Sequence, residues 1–206
     1  PLTRLLNRRR FNQDLTGLVN QSIYSAYGGA LLFFDLDQFK DVNDLSGHPV
    51  GDILLQRVAE QLDEFIGAGG FLGRLGGDEF ALALPCADLE QAIATAEQVQ
   101  TRIQSAIVRT QGLRHQVSAS IGIVLFPEHG TETGQLLADA DLAMYQAKEK
   151  GRGRWHLFSP DDQGREQANA RVLWSERINE ALAEDRFELY FQPIMELATG
   201  SLRRKE

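Results

Sequence analysis

Residues 71–84 read FLGRLGGDEFALAL, and this stretch decides the architecture. Two short apolar runs, Phe71 to Leu75 and Phe80 to Leu84, flank Gly76-Gly77-Asp78-Glu79. Paired glycines between strand-like runs predict a tight β-hairpin. Upstream, Gly29 to Phe34 (GALLFF) is a buried-strand pattern whose end delivers Asp35-Leu36-Asp37. Val50 to Ile66 carries apolar residues at Ile53, Leu54, Val58, Leu62, Phe65 and Ile66, the spacing of an amphipathic helix stopped by Gly67-Ala68-Gly69-Gly70. Downstream, the patterns predict a helix over Leu89 to Val108, a strand over Gln116 to Leu125, a helix from Thr133 to Lys150 closed by Gly151, and a strand from Arg154 to Phe158. Strands alternating with helices, with at least one hairpin, define an α/β sheet covered by helices.

The chain has 206 residues, 21 basic and 29 acidic side chains and a net charge of −8. Its 43% hydrophobic and 24% charged residues are those of a soluble globular protein, which excludes disorder and low complexity for most of its length. The acidic balance argues against nucleic acid as a partner, because phosphate contacts dominate such binding. A single cysteine, Cys86, forms no internal disulfide and no zinc cage, which fits a reducing compartment and a cytoplasmic location. No apolar run reaches the ~20 residues that span a bilayer, so no membrane contact is expected within this chain. The first residue is Pro1 and Glu206 falls in mid-pattern, as expected for a piece of a longer protein, which leaves room for a membrane anchor or sensor region outside this chain.

Asp35 ends an apolar strand, where an unpaired carboxylate is costly. Such a residue either caps the next helix or serves chemistry. Asp78 and Glu79, in a glycine turn, are either simply solvated or functional. Two strand ends that each offer carboxylates make a hard oxygen site of the kind Mg²⁺ prefers, and the glycines allow a phosphate to approach the backbone.

These residues resemble a known family. Gly76-Gly77-Asp78-Glu79-Phe80 is similar to the signature of GGDEF diguanylate cyclases, which join two GTP into cyclic di-GMP. Phe34-Asp35-Leu36-Asp37-Gln38-Phe39-Lys40 resembles its FDxDxFK segment. Asn43-Asp44 and Gly47-His48-Pro49-Val50-Gly51-Asp52 resemble its ND and GHxxGD elements. Pro1-Leu2-Thr3 with Asn7-Arg8 resembles its opening, Ser120-Ile121-Gly122 its SIG strand, and Ala138-Asp139-Ala140 through Tyr145-Gln146-Ala147-Lys148 to Gly151-Arg152 its last helix. The resemblance covers residues 1–158 in order and at proper spacing. It implies a central, mainly antiparallel five-stranded sheet wrapped by helices, related to nucleotidyl cyclase and polymerase palm domains.

The resemblance also implies roles. Asp35, the Leu36 carbonyl, Asp78 and Glu79 match the metal site, and Asp35, Asp78 and Glu79 match the catalytic set. Glu79 would ligate metal or deprotonate the 3′-hydroxyl. The cofactor implied is Mg²⁺ (or Mn²⁺), two per active site, in the two-metal logic of in-line displacement at the α-phosphate with loss of two pyrophosphates. Asn43 and Asp52 match the guanine-reading pair, a carboxylate accepting the N–H donors of guanine's Watson–Crick edge. Lys40, Lys148 and Arg152 match triphosphate contacts, and Gly76 and Gly77 would line the phosphates. Lys148 and Arg152, four apart, are expected on one face of a helix end; otherwise they merely complement a helix C-terminus. Asp37 is expected to be structural. Each protomer holds one GTP, so the implied active species is a homodimer. The family's inhibitory product site has an Arg and an Asp where this chain has Gly67 and Gly70, so feedback through it is expected to be absent.

The chain's last part has a second resemblance. Asp161 to Glu184 is a charged amphipathic pattern suited to a linker helix. Phe187 to Ile194 (FELYFQPI) and Leu197-Ala198-Thr199-Gly200 resemble the first hairpin of an EAL phosphodiesterase domain. The implied organisation is a GGDEF domain over 1–158, a linker helix over 159–185 and a truncated EAL start over 186–206, with the EAL domain a partner in cis. Two other functions stay open: a catalytically silent GTP-binding module that regulates the phosphodiesterase, and a scaffold that binds neither nucleotide nor metal.

Overall fold

Eight residues, Gly29–Leu36, form the central strand of a computed structural model, and all but Asp35 are buried. The structure describes residues 2–24, 28–85, 87–110 and 112–162, together with Ala181, 193–195 and 202–205. Its elements run in the order β1 (Leu6–Asn7), α1 (Arg8–Tyr24), β2 (Gly29–Leu36), α2 (Phe39–Ser46), α3 (His48–Ile66), β3 (Phe71–Arg74), β4 (Glu79–Pro85), α4 (Leu89–Ser105), β5 (Val108–Thr110), β6 (Leu113–His115), β7 (Ala119–Phe126), α5 (Thr133–Glu149) and β8 (Trp155–Leu157). A 3-10 turn, Gly67–Gly69, follows α3.

One sheet of six strands, ordered β1-β3-β4-β2-β7-β8, organises the domain. The inner pairings β3–β4, β4–β2 and β2–β7 are antiparallel, and the two edge strands pair in parallel. The class is the expected α/β sheet surrounded by helices, with six strands in place of five. Strand β5 and β6 form a separate hairpin where the sequence reading extends a helix to Val108. That helix, α4, ends at Ser105, and the β-branched pair Ile107-Val108 enters the hairpin, turned by Gly112 at φ +79°. Helices α1 and α2 have no counterpart in the sequence reading, although Phe11, Leu15 and Val19 of α1 recur every four residues and are all buried.

Strand alternation sorts the core into two faces. On β2, Ala30, Leu32, Phe34 and Leu36 join the cluster that takes in α3 and α4, while Leu31 and Phe33 join the one under α1 and α5. On β4, Phe80, Leu82 and Leu84 go with the first face, Ala81 and Ala83 with the second. Helix α5 lies close on the second face because Gly122 of β7 has no side chain there; a Cβ would collide with the Ala140 carbonyl and the Met144 amide.

Helix starts follow local chemistry. Asp88 Oδ1 accepts the Gln91 amide N–H at 2.8 Å while the Gln91 side chain accepts the Asp88 N–H, a capping box for α4. Glu132 caps α5 by accepting the Gly134 and Gln135 amides.

The chain divides into two compact units, Pro1–Gln163 and Gly164–Glu206. In the second, β9 (Pro193–Met195) pairs antiparallel with β10 (Leu202–Lys205). Cys86, Trp174, Gln192 and nearly all of the expected linker helix lie outside the described residues.

Candidate active site

The parity that builds the core also builds the site. Asp35, an odd-numbered residue of β2, projects to the face covered by α1 and α5. Its cross-strand partners are Glu79 on β4 and Ser120 on β7. Beneath them, on the opposite face, Phe34 and Phe80 stack in parallel with ring centroids 5.7 Å apart, a rigid support for both strand ends. The sequence thus brings Asp35 and Glu79 side by side, from positions 44 residues apart, at one end of the two central strands.

Each carboxylate meets a cation from a neighbouring helix. Lys148, in the last turn of α5, places Nζ 2.9 Å from Asp35 Oδ1. Burial pushes the Asp35 carboxyl above its ordinary range; the Lys148 hydrogen bond and charge pull it back, and the charges of Asp78 and Asp37 push it up again. Arg8, the first residue of α1, donates from Nη2 to Glu79 Oε2 at 3.0 Å and from Nε to the Leu75 carbonyl at 3.0 Å. Asp141, also on α5, feels both cations. Partial burial of its carboxyl raises its pKa, and the charges of Lys148 and then Arg8 oppose the rise.

The turn between β3 and β4 is closed on itself. The Leu75 and Gly76 amides donate to the Glu79 carbonyl, and the Arg74 guanidinium donates to the Gly77 carbonyl at 2.9 and 2.6 Å. The Leu36 amide donates to the Asp78 carbonyl at 3.2 Å, which ties the turn to the end of β2. A Cβ on Gly76 would meet the Glu79 carboxylate, whereas Gly77 faces open space.

Asp37 has a different environment. It is buried and accepts from Ser118 Oγ at 2.6 Å, Ser120 Oγ at 2.7 Å and the Gly153 amide at 3.0 Å. Those donors join β2 to β7 and to the loop after α5, a structural role.

Asn43 and Asp52 lie on consecutive helices, α2 and α3. The Asn43 carboxamide oxygen sits against Gly51, where a Cβ would overlap it, so the glycine next to Asp52 is what lets α2 and α3 close together. Asp52 and Lys40 are exposed. Arg152 is also exposed, but it does not share a helix face with Lys148. Helix α5 ends at Glu149, Gly151 takes φ +110°, and Arg152 follows at φ +54°. The fourfold spacing therefore carries no helical meaning there. Neither Lys40 nor Arg152 touches Asp35 or Glu79 through its side chain.

All of the candidate metal ligands (Asp35, the Leu36 carbonyl, Asp78 and Glu79) are hard oxygen donors, and their excess negative charge suits a divalent cation. Among the described residues no three acidic, His or Cys side chains converge as a ready cage. Lys148 and Arg8 supply the positive charge instead. Arg8 and Asp141 have no role in the sequence reading. Arg8 lies in the Asn7-Arg8 match of the opening motif, but its meeting with Glu79, 71 residues away, is made by the fold.

The expected family is confirmed by comparison. The family described as diguanylate cyclase, GGDEF domain, matches residues 1–154. This chain belongs to the GGDEF family. It is 38% identical over 194 residues to the bifunctional diguanylate cyclase/cyclic di-GMP phosphodiesterase MucR of Pseudomonas aeruginosa, covering 93% of this chain and 28% of that protein. It is 32% identical over 205 residues to the cyclic di-GMP phosphodiesterase PdeB of Shewanella oneidensis, covering 99% of this chain and 23% of that one. The chain thus spans about a quarter of the length of these curated relatives. A crystal structure comprising only the GGDEF domain of TpbB (YfiN) from Pseudomonas aeruginosa superposes with a TM-score of 0.76 at 36% identity, covering 81% of this chain and 97% of that one. No helix among the described residues is long and apolar enough to cross a membrane.

Proposed function

We propose that residues 1–158 form a diguanylate cyclase domain that condenses two GTP into cyclic di-GMP and two pyrophosphates. The observation that carries this is the cross-strand pair Asp35–Glu79 at one end of the central strands, on the face where Lys148 already contacts Asp35. Asp35, the Leu36 carbonyl, Asp78 and Glu79 would hold Mg²⁺ or Mn²⁺, two per active site, which activate the 3′-oxygen and neutralise charge at the α-phosphate when bound. Asn43 and Asp52, from the closed α2–α3 corner, read the guanine edge. Lys148, released from Asp35, joins Lys40 and Arg152 on the triphosphate, and the Gly76–Gly77 backbone lies along it. Product forms only where two such domains face each other, so the active species is a homodimer. Gly67 and Gly70 offer no side chain to hold product, and feedback through that position is absent.

Residues 159–185 are then a linker helix and 186–206 the beginning of an EAL phosphodiesterase domain, which would act in cis. The hairpin of β9 and β10 and the likeness to PdeB along nearly the whole chain support this. The protein would work in the cytoplasm, where GTP is available.

One observation favours a second reading. Asp35 and Glu79 are each engaged by an internal cation, and no metal cage is preformed among the described residues. A domain that keeps the Lys148–Asp35 pair in place would bind GTP without turnover and serve to regulate the phosphodiesterase. The deciding experiment incubates concentrated protein with GTP and Mg²⁺ and reads cyclic di-GMP by nucleotide chromatography. Product that disappears in Asp78→Ala supports the cyclase. GTP binding without product, in a forced dimer as well, supports the regulatory module.

A further inference from the structure

Arg8 makes the two contacts at this site that the proposed chemistry does not require of it. Its guanidinium reaches the Leu75 carbonyl with one nitrogen and the Glu79 carboxylate with another, each at 3.0 Å, from 67 and 71 residues away in the chain. Leu75 and Glu79 are the two ends of the Gly76–Gly77 turn, already joined by the Leu75 amide to the Glu79 carbonyl at 2.9 Å. One side chain therefore clasps the turn and its adjoining acid from outside, while Arg74 holds the Gly77 carbonyl from the other end.

We propose that Arg8 is a positioning residue: its planar fork sets the Glu79 carboxylate back over Gly76 and fixes both ends of the glycine turn in a single geometry. This rests, for its effect on turnover, on the cyclase reading above.

Three physical points favour positioning over stability. First, the Arg8 and Glu79 side chains are 56% and 37% exposed, and an ion pair that open contributes little to folding. Second, two consecutive glycines make a permissive backbone, so a turn that must present a carboxylate and a phosphate-lining backbone gains from an external restraint. Third, Gly76 has no Cβ in the space where the Glu79 carboxylate lies, so the acid rests against the turn rather than reaching away from it. A lysine at position 8 would keep the charge but would lose the fork that serves two acceptors at once.

The test uses the full 206-residue chain with Arg8→Gln, Arg8→Lys and, as a control on the same helix, Arg10→Gln, whose partner is Asp14. Amide exchange of Leu75 and Gly76 is followed by NMR without metal or nucleotide, and kcat and KM for GTP are measured with Mg²⁺. Loss of the charged hydrogen bonds should speed exchange at both amides about tenfold in Arg8→Gln. Misplacing one reacting group should cut kcat about 100-fold while KM stays within about twofold. Melting temperature should move by no more than about 2 °C, since exposed ion pairs contribute so little. Arg8→Lys should recover less than half of either effect, and Arg10→Gln should match the parent protein. Unchanged exchange in Arg8→Gln overturns the proposal, and so does an Arg8→Lys variant equal to the parent. If the parent protein makes no product, the cyclase reading fails, and the exchange data alone decide whether Arg8 orders the turn.

Discussion

Asp35 lies in β2 and Asp37 just past its end, two residues on; they have the same side chain, and their surroundings give them opposite parts. Asp37 is 4% exposed and takes three neutral donors, two serine hydroxyls and a backbone amide, from two other segments. Two of those donors are hydroxyls at 2.6 and 2.7 Å, and the third is a main-chain amide at 3.0 Å. Among the described residues the Asp35 carboxylate has one ion-pair partner, the Lys148 ammonium, on a long flexible stem. Burial still raises its carboxyl above the ordinary range despite that partner. Asp37 is committed to the fold. Asp35 is held at a cost and with one exchangeable contact, which is the condition expected of a ligand-binding carboxylate.

The sharpest way to break this comparison is to remove each carboxylate in turn. Asp35→Ala should lower cyclic di-GMP formation at least about 1,000-fold, because a metal's charge stabilisation is worth several kcal/mol. Its fold should survive intact, as read by circular dichroism and melting. Turnover at the parent rate in that variant removes Asp35 from the site. Asp37→Ala should do the reverse in kind. It strands Ser118, Ser120 and the Gly153 amide, and urea unfolding should show a loss of about 3 kcal/mol. A loss under about 1 kcal/mol would mean that water replaces the carboxylate without penalty and that the structural role is wrong.

A smaller effect at Asp35 is read by pH. The folded pKa of Asp35 is raised, so the folded state binds its proton more tightly than the unfolded chain does. The stability this contributes is present below the unfolded pKa and is lost as pH rises through the folded value. Asp35→Asn removes that loss. Its melting temperature should therefore gain on the parent protein as pH is raised from 3 to 7, with the two curves closest at the acid end. A gap that is flat with pH would show that the Lys148 pair compensates the burial fully.

Much of this was legible in the chain itself. The hairpin at Gly76–Gly77, the strand ending in Asp35 and the helix before Gly67 all have local signatures, and the ordered motifs resemble one family. What could not be read is long-range. Nothing local to Arg8 says that it will meet Glu79, and nothing local to Ser118 says that it will meet Asp37. Both pairings depend on strand order, which the sequence leaves open. Arg152 is the converse lesson: a spacing of four means a shared face only inside a helix, and Gly151 had already ended this one. The sixth strand escaped notice because two residues, Leu6–Asn7, carry no alternation to detect.

The smallest expected effect sharpens the contrast from the other end of α5. Glu132 is a carboxylate held low, the opposite of Asp35, because the Gly134 and Gln135 amides at the helix start donate to it. These donors are the first unpaired N–H groups of α5, the helix that carries Lys148 at its far end, and an anion there is favoured by the helix dipole as well. With the folded pKa depressed, its contribution is present above the unfolded pKa and is lost as pH falls through the folded value. Glu132→Gln should therefore lower the melting temperature slightly at pH 7 and not at all near pH 2, where the parent carboxyl is protonated too. Because Lys148 sits at the opposite end of the helix, the same variant should leave GTP affinity unchanged at 25 °C. A fall in affinity parallel to the fall in melting temperature would instead show that the start of α5 sets the position of Lys148, and that the Asp35 contact depends on the whole helix rather than on its last turn.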